Sequence, residues 1–411
     1  MTSTRTFVIV GGGLAGAKTA EALRDKDFEG SIVLLSEEEH LPYDRPPLTK
    51  EHFAGKKSLD EFTVHHGDWY RDQHVDLRLG TTATDLDLAA HTVTLPDGST
   101  LKYDKLALAT GSRSRRPPIN GSDAEGVHYL RSVDESDALI EAVADGARLV
   151  IIGAGWIGLE VAASARQKGA DVAVIEASEL PLTNSLGPEI GRVFADLHRE
   201  NGVRLHLGAK VEEITVEAGR ATGVRLGDGT VLPADAVLVA VGAAPNVEIA
   251  ERAGLDVDGG VLVDAGLQTS HPDVVAVGDI AAQLHPRLGT RIRVEHWANA
   301  LNQPAVAAAT MLGRSAEYAQ LPYFFTDQFD LGMEYTGYVP LKSYERVIVR
   351  GDLPGREFLA FWLDEGGHVL AGMNVNIWDA TDEIKQLVSS PATVDPDRLA
   401  DPEVTLTDLL D

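Results

Sequence analysis

Two G-x-G-x-x-G runs that start 142 residues apart constrain this chain more than any other feature in it. The first is Gly11-Gly12-Gly13-Leu14-Ala15-Gly16 and the second is Gly153-Ala154-Gly155-Trp156-Ile157-Gly158. Alone, such a run is a weak signal, because a glycine-rich turn can serve only to pack a helix closely on a strand. Here each run follows an apolar, β-branched stretch, Phe7-Val8-Ile9-Val10 in one case and Arg148-Leu149-Val150-Ile151-Ile152 in the other. Each also opens a predicted helix. Ala17, Ala20 and Leu23 mark one face of the first helix, and the second spans about Ile157 to Lys168. Second strands follow at Ser31-Ile32-Val33-Leu34-Leu35 and Asp171-Val172-Ala173-Val174-Ile175, completing two βαβ units. An acid then stands near the end of each second strand. Glu37 lies 21 residues after Gly16, and Glu176 lies 18 after Gly158. A carboxylate about 20 residues beyond the glycines suits the hydroxyls of a ribose. The glycines let backbone approach a pyrophosphate, and the helix N-terminus supplies N–H donors and partial positive charge. Two such units imply two dinucleotides.

The chain has no cysteine, which excludes a redox-active disulfide, thiolate metal ligation and Fe–S ligation by its own residues. Electrons arriving on one dinucleotide must therefore pass to the other and then directly to an external acceptor. Lys and Arg total 36 against 63 Asp and Glu, a net charge of −27. That balance disfavours nucleic acid and anionic membranes as partners. No stretch approaches the roughly 20 apolar residues of a membrane span. The first residues run straight into a strand without an apolar leader. The end of the chain, from Asp395, carries six acids and one Arg, unlike a basic amphipathic anchor. A cytoplasmic location is the expectation. His65-His66 lacks further ligand spacing, so no metal site is expected, and neither G-x-S-x-G nor H-E-x-x-H occurs.

Three more apolar strands end at glycine: one before Thr110-Gly111, one before Gly242 and one before Gly278-Asp279. Each puts a turn at the carboxyl edge of a sheet, where α/β proteins bind ligands. Asp279 could meet a cofactor there, or it could be the N-cap of a following apolar helix. Beyond about residue 320 the texture changes. Strands are expected at Tyr335 to Val339, Arg346 to Arg350, Glu357 to Leu363 and His368 to Val375, with Glu365-Gly366-Gly367 as a hairpin turn. Trp378 to Val388 reads as a closing helix, giving a small α+β domain.

Spacing alone does not say which site takes which cofactor. The proline-braced run Leu41-Pro42-Tyr43-Asp44-Arg45-Pro46-Pro47-Leu48-Thr49-Lys50 carries further information. With the first fingerprint, and with Ala109-Thr110-Gly111, Gly158-Leu159-Glu160, Val277-Gly278-Asp279 and Thr326-Asp327-Gln328, it resembles the FAD-dependent NADH:ferredoxin reductases of oxygenase systems. These are the putidaredoxin reductase and biphenyl dioxygenase reductase type, and the resemblance covers nearly the whole chain. It departs at Phe325, where relatives often carry Trp in an aromatic cluster near the electron exit.

The resemblance implies an α/β, glutathione-reductase-like fold with two Rossmann-type dinucleotide-binding domains and a small α+β C-terminal domain. The FAD domain would be split between 1–112 and 243–318, the NAD domain would span 113–242, and the last domain 319–411. FAD, held without a covalent bond, would take the first site. Gly11, Gly13, Ala15 and Gly16 would hold its pyrophosphate, and Glu37 the adenosine ribose. Arg45 and Lys50 would lie along the pyrophosphate and flavin. Ala83 would meet the adenine, and Arg131 the cofactor. Asp279, beside Gly278, would meet the ribityl chain, and the Trp297 backbone the isoalloxazine. Thr110 and Gly111 would line the same edge. NADH would take the second site, with Gly153, Gly155, Ile157, Gly158 and Gly242 around it, Glu176 on the ribose and Glu160 near the nicotinamide. Lys50 and Glu160 would form an ion pair at the reactive edge. The implied reaction is hydride transfer from NADH to FAD, then single-electron steps to a separate [2Fe–2S] ferredoxin serving an oxygenase. A homodimer is possible. The same fold admits two alternatives, a redox-sensing protein of the apoptosis-inducing-factor type and a quinone or rubredoxin reductase. Arg113, Arg115 and Arg116, and more so Arg287, Arg291 and Arg293, are the candidate docking rim for an acidic acceptor.

Overall fold

The computed structural model describes residues 5–340 and 343–410, which fall into two compact units. The first comprises the chain through Arg45, Ser58–Arg113 and Ala243–Pro322. The second comprises Pro46–Lys57, Ser114–Gly242 and the chain from Tyr323 onward.

The first unit is built on a parallel five-stranded sheet in the order Val274–Ala276, Lys105–Leu108, Thr6–Val10, Ser31–Leu35, Val75–Arg78. These strands are near-continuous apolar runs because both faces of a parallel sheet are covered. Phe7, Val8, Ile9, Leu34 and Leu106 have no exposed surface. Helix Leu14–Asp25 turns Ala17, Ala20 and Leu23 inward, as their spacing requires, and all three are fully buried. It packs along helix Trp297–Met311, whose Ala307, Ala308 and Met311 share the same core.

The second unit repeats the plan. Its parallel sheet runs Arg204–His206, Asp171–Ile175, Arg148–Ile152, Ala236–Val239, Val127–His128. In both sheets the fingerprint strand lies between the second strand of its βαβ unit and a later glycine-ended strand. That reversal of strand order opens a crevice at the carboxyl edge.

The second unit also holds a three-stranded antiparallel sheet, Val211–Glu217, Arg220–Leu226 and Val231–Pro233, and a five-stranded antiparallel sheet in the order Tyr323–Gln328, Leu331–Gly337, Val369–Val375, Glu357–Leu363, Arg346–Asp352. The five-stranded sheet has one strand more than the sequence suggested, and the strand expected from Tyr335 begins at Leu331. The two-residue hairpin Phe329-Asp330 that joins its first pair has neither a glycine nor the Asn-Gly or Asp-Gly pair that usually marks such a turn. Phe329 takes a left-handed φ of 57°, which a bulky side chain rarely adopts. The Glu365-Gly366-Gly367 turn is present, with Gly367 at φ +85°. The closing helix is Thr381–Ser389, so Trp378 precedes it and is 57% exposed. Met333, Tyr335, Trp362 and Met373 share one core with Leu159 and Phe194 of the nucleotide-type fold. No helix among the described residues is long and apolar enough to cross a membrane.

Candidate functional site

The two fingerprints match in backbone conformation at their first two motif glycines. Gly11 and Gly153 have φ of +117° and +108°. Gly13 and Gly155 are N-caps at φ −81°, with ψ −171° and −173°, and neither cap is met by a side-chain hydrogen bond. A Cβ on Gly11 would stand 2.1 Å from the Ala109 carbonyl oxygen, and one on Gly153 would stand 2.4 Å from that of Ala240. A Cβ on Gly16 or Gly158 would lie 1.9 or 2.1 Å from the carbonyl oxygen of Gly11 or Gly153. The first and last glycines are thus required by the fold itself. The middle ones are not, since a Cβ at Gly13 or Gly155 meets nothing within 4 Å. Each loop therefore leaves a backbone-lined hollow at a helix N-terminus, and a pyrophosphate fits that hollow and its donors.

The acids expected beside the two hollows differ in their settings. The Glu176 carboxylate accepts the Ala154 N–H on Oε2 at 2.9 Å and the Ser178 N–H on Oε1 at 2.8 Å. It is fixed against the second fingerprint loop. Glu37 is exposed at the end of strand Ser31–Leu35. The next residue is engaged by two neighbours. Glu38 accepts Arg45 Nη2 at 2.8 Å and also the Tyr43 hydroxyl, so it fixes the arginine. His65 is likewise paired, with Nε2 2.8 Å from Glu21 and its ring stacked on Trp69.

Asp279 is 7% exposed, and its Oδ2 accepts the Ser112 hydroxyl at 2.9 Å. It does not cap an apolar helix, because strand Ala281–His285 follows it after one 3₁₀ turn. Gly278, at φ +74°, donates its N–H to the buried Gln303 side chain at 2.7 Å. Thr110 and Gly111 are tied to Asn246: the Thr110 hydroxyl and the Gly111 carbonyl bond its backbone, and its side chain donates to the Thr110 carbonyl. Trp297 opens its helix and donates its indole N–H to Asp44 at 2.8 Å. Ala83 packs at the edge of the same unit's core.

In the second unit, Arg131 precedes helix Val133–Ala142, and its N–H donates to the capping Glu135 at 2.7 Å. Gly242 turns at φ +98° after strand Ala236–Val239. Ile157 and Val241 are each 37% exposed beside the second fingerprint, apolar surface with no partner in the core. Sequence reading missed Val241.

The second unit also assembles a buried polar cluster around Glu160. Lys50 Nζ lies 2.8 Å from its Oε1, the expected ion pair. The Thr326 hydroxyl donates to Oε1 and the Thr49 hydroxyl to Oε2, each at 2.6 Å. Lys50 also stands 5.4 Å from the centre of the Phe325 ring. Neither threonine was singled out from sequence, although both sit in motifs that were.

The arginine rim fares differently. Arg291 turns back to donate to the carbonyls of Val263 and Ala282. Arg293 donates to the Asp279 carbonyl at 3.1 Å and pairs with Glu295. Arg291 thus braces the strand pair Val261–Val263 and Ala281–His285, and Arg293 ties the turn at Asp279 to Glu295. Arg113 is engaged with Asn246 and Glu248, and Arg116 lies over the Tyr129 ring.

Residues 5–304 match the family model described as pyridine nucleotide-disulphide oxidoreductase, and residues 323–410 match the reductase C-terminal model. The ferredoxin–NAD(+) reductase component of the anthranilate 1,2-dioxygenase system of Burkholderia cepacia is 40% identical, over 99% of this chain and 100% of its own. Putidaredoxin reductase of Pseudomonas putida is 36% identical, over 100% of this chain and 98% of its own. Among solved structures, the covalent putidaredoxin reductase–putidaredoxin complex matches with a TM-score of 0.94 at 35% identity, covering 98% of each chain.

Proposed function

The chain belongs to the pyridine nucleotide-disulphide oxidoreductase family, and within it we propose an FAD-dependent NADH:ferredoxin reductase that serves an oxygenase such as a cytochrome P450 or a dioxygenase. The observation that carries this reading is the doubled fingerprint geometry in a chain without cysteine. Two dinucleotides can be held, and no thiol pair stands between them and the acceptor. The balanced reaction is NADH plus two oxidised ferredoxins giving NAD⁺, a proton and two reduced ferredoxins.

Gly11, Gly13, Ala15 and Gly16 would hold the pyrophosphate of FAD at the N-terminus of helix Leu14–Asp25. Glu37 is assigned to its ribose, Ala83 to its adenine, and Arg45, fixed by Glu38, to its phosphates. Thr110, Gly111, Gly278, Asp279 and the N-terminus of helix Trp297–Met311 would line the rest of that site, with Arg131 as a further contact. Gly153, Gly155, Ile157, Gly158 and Gly242 would hold NADH, and Glu176 would accept from its adenosine ribose. Bound together, the two cofactors supply hydride uptake from the nicotinamide and release of single electrons from the flavin. Lys50 and Glu160 are the pair we assign to the hydride-transfer step. The acceptor is taken to be a separate [2Fe–2S] ferredoxin, the location cytoplasmic, and a homodimer is compatible with the reading.

The test is an anaerobic acceptor screen with NADH as donor, comparing [2Fe–2S] ferredoxins, a rubredoxin and quinones. A ferredoxin should be reduced at least tenfold more efficiently than the others. Preference for a quinone or rubredoxin would move the protein to that reductase class. Slow turnover with every acceptor, together with NADH-driven dimerisation, would favour a redox sensor.

A further inference from the structure

We propose that Thr326, Gln328 and His198 form a one-directional hydrogen-bond chain that positions the Glu160 carboxylate, which makes His198 a positioning residue of the redox site. The proposal deepens the reading of Lys50 and Glu160 as the hydride-transfer pair and rests on it.

The direction follows from counting protons. A carboxylate accepts and does not donate. Glu160 takes three donors: Lys50 Nζ and the Thr326 hydroxyl on Oε1, and the Thr49 hydroxyl on Oε2. Thr326 has one hydroxyl proton, and it points at Glu160. Its oxygen can then only accept from its other neighbour, Gln328 Nε2 at 3.1 Å. That requirement orients the Gln328 amide and leaves its Oε1 facing His198 Nε2 at 2.9 Å. An amide oxygen accepts, so the imidazole must carry its proton on Nε2. Reversing the Gln328 amide would set its oxygen and Glu160 in competition for the single Thr326 proton. One assignment satisfies every member, and the whole run is polarised toward Glu160.

The fold holds each member rigidly. Thr326 and Gln328 occupy alternate positions of strand Tyr323–Gln328 and so share a face, each 1% exposed. His198 lies on helix Thr183–Glu200, is wholly buried, and meets the Phe329 ring edge-on at 5.2 Å. Its Nδ1 has no hydrogen-bond partner. Burial lowers its pKa to about 4, with Gln328 opposing, so the ring is a neutral, fixed donor at working pH. Three apolar side chains would fill this space without desolvating any polar group, and a half-satisfied network would cost more than an apolar core. The chain is satisfied only in the direction that ends on the carboxylate of the Lys50 pair.

Two measurements on the holoprotein test this. Imidazole ¹⁵N NMR should show neutral His198 with its proton on Nε2. In Thr326→Val the Gln328 amide loses its acceptor, so a mixture of tautomers should appear. Thr326→Ser keeps the hydroxyl and should restore the single tautomer. In anaerobic stopped-flow, Thr326→Val should slow flavin reduction by NADH about tenfold, as for the loss of one charged hydrogen bond. The Kd for NADH should stay within about twofold, and Thr326→Ser should recover most of the rate. A wild-type proton on Nδ1 overturns the proposal even if the valine variant fails to fold. So does a slowed rate with an unchanged tautomer, or a tautomer change with an unaffected rate. A protein that takes up no FAD, or does not react with NADH, overturns the functional reading, and the His198 tautomer still judges the chain separately.

Discussion

The Lys50 ammonium lies 2.8 Å from Oε1 of Glu160, with the two side chains 12% and 9% exposed. Breaking a buried pair by removing one partner typically costs about 3–5 kcal/mol, because the other charge stays desolvated. The two partners are not equivalent here. Removing Glu160 strips Lys50, Thr49 and Thr326 of a shared acceptor at once. Removing Lys50 leaves the carboxylate two hydroxyl donors. Glu160→Ala should therefore destabilise by about the full 3–5 kcal/mol and Lys50→Ala by roughly half of that. The double variant should cost less than the sum. Urea unfolding with an unchanged m-value measures all three, and equal costs for the single variants would refute the asymmetry.

Glu176 should enforce NADH over NADPH. Backbone N–H groups of Ala154 and Ser178 fix its carboxylate beside the second fingerprint. A 2′-phosphate placed there would meet a like charge, which costs on the order of several kcal/mol. No Arg or Lys follows in Ala177-Ser178 to compensate. Discrimination in kcat/KM should reach about a hundredfold or more. Glu176→Ala should narrow that ratio chiefly by improving NADPH. Equal efficiency of the wild type with both coenzymes would sink the assignment.

The glycines of the first fingerprint separate folding from binding. Gly13 has an ordinary φ of −81° and open space where a Cβ would go. Gly13→Ala should keep stability within about 0.5 kcal/mol in the cofactor-free protein and weaken FAD binding tenfold or more. Gly16→Ala should instead damage the fold, since its Cβ would press to 1.9 Å from the Gly11 carbonyl. Thermal unfolding of cofactor-free protein, paired with FAD titration, distinguishes the two. An alanine at Gly13 that binds FAD normally would show that the hollow is not the pyrophosphate site.

What the sequence made legible was local or periodic. Both βαβ units, their glycines and the acid Glu176 could be read because each depends on residues within about one unit's span. Asp279 was flagged, but its alternative role as an N-cap failed because a strand, not a helix, follows it. Of the polar cluster, only the Lys50–Glu160 pair was expected, and that from the family resemblance. The threonine supports were not legible: Thr49 and Thr326 converge on Glu160 from 111 and 166 residues away, and no local pattern encodes that meeting. Glu38 looked like one acid among three, and only the return of the proline-braced run brings Arg45 and Tyr43 onto it. The Phe329-Asp330 hairpin violates turn preferences, so the strand before it was hidden. Arg291 and Arg293 read as free surface charge because sequence cannot show a guanidinium folding back onto backbone carbonyls.

Buried His198 gives the protein a predictable acid limb. Burial pushes its pKa down from 6.5 to about 4, with the Gln328 hydrogen bond opposing. His296, also lowered to about 4 by burial with Asp279 opposing, acts in the same sense. The folded state keeps each ring neutral, whereas the unfolded chain takes up a proton near pH 6.5. The unfolded state thus binds more protons below that pH, and stability rises with pH across the window. The contribution is complete above about pH 6.5. As pH falls toward 4, each histidine should remove about 1.4 kcal/mol per unit, and below that its effect should level off. His198→Gln cannot titrate and can still donate to Gln328. Its urea midpoint should therefore fall less steeply than that of the wild type between pH 6.5 and 4. The difference between the two curves removes the acid lability that carboxylates contribute to both. Parallel curves across that window would mean that His198 titrates alike in the folded and unfolded states, and would remove the basis for treating it as a fixed neutral donor.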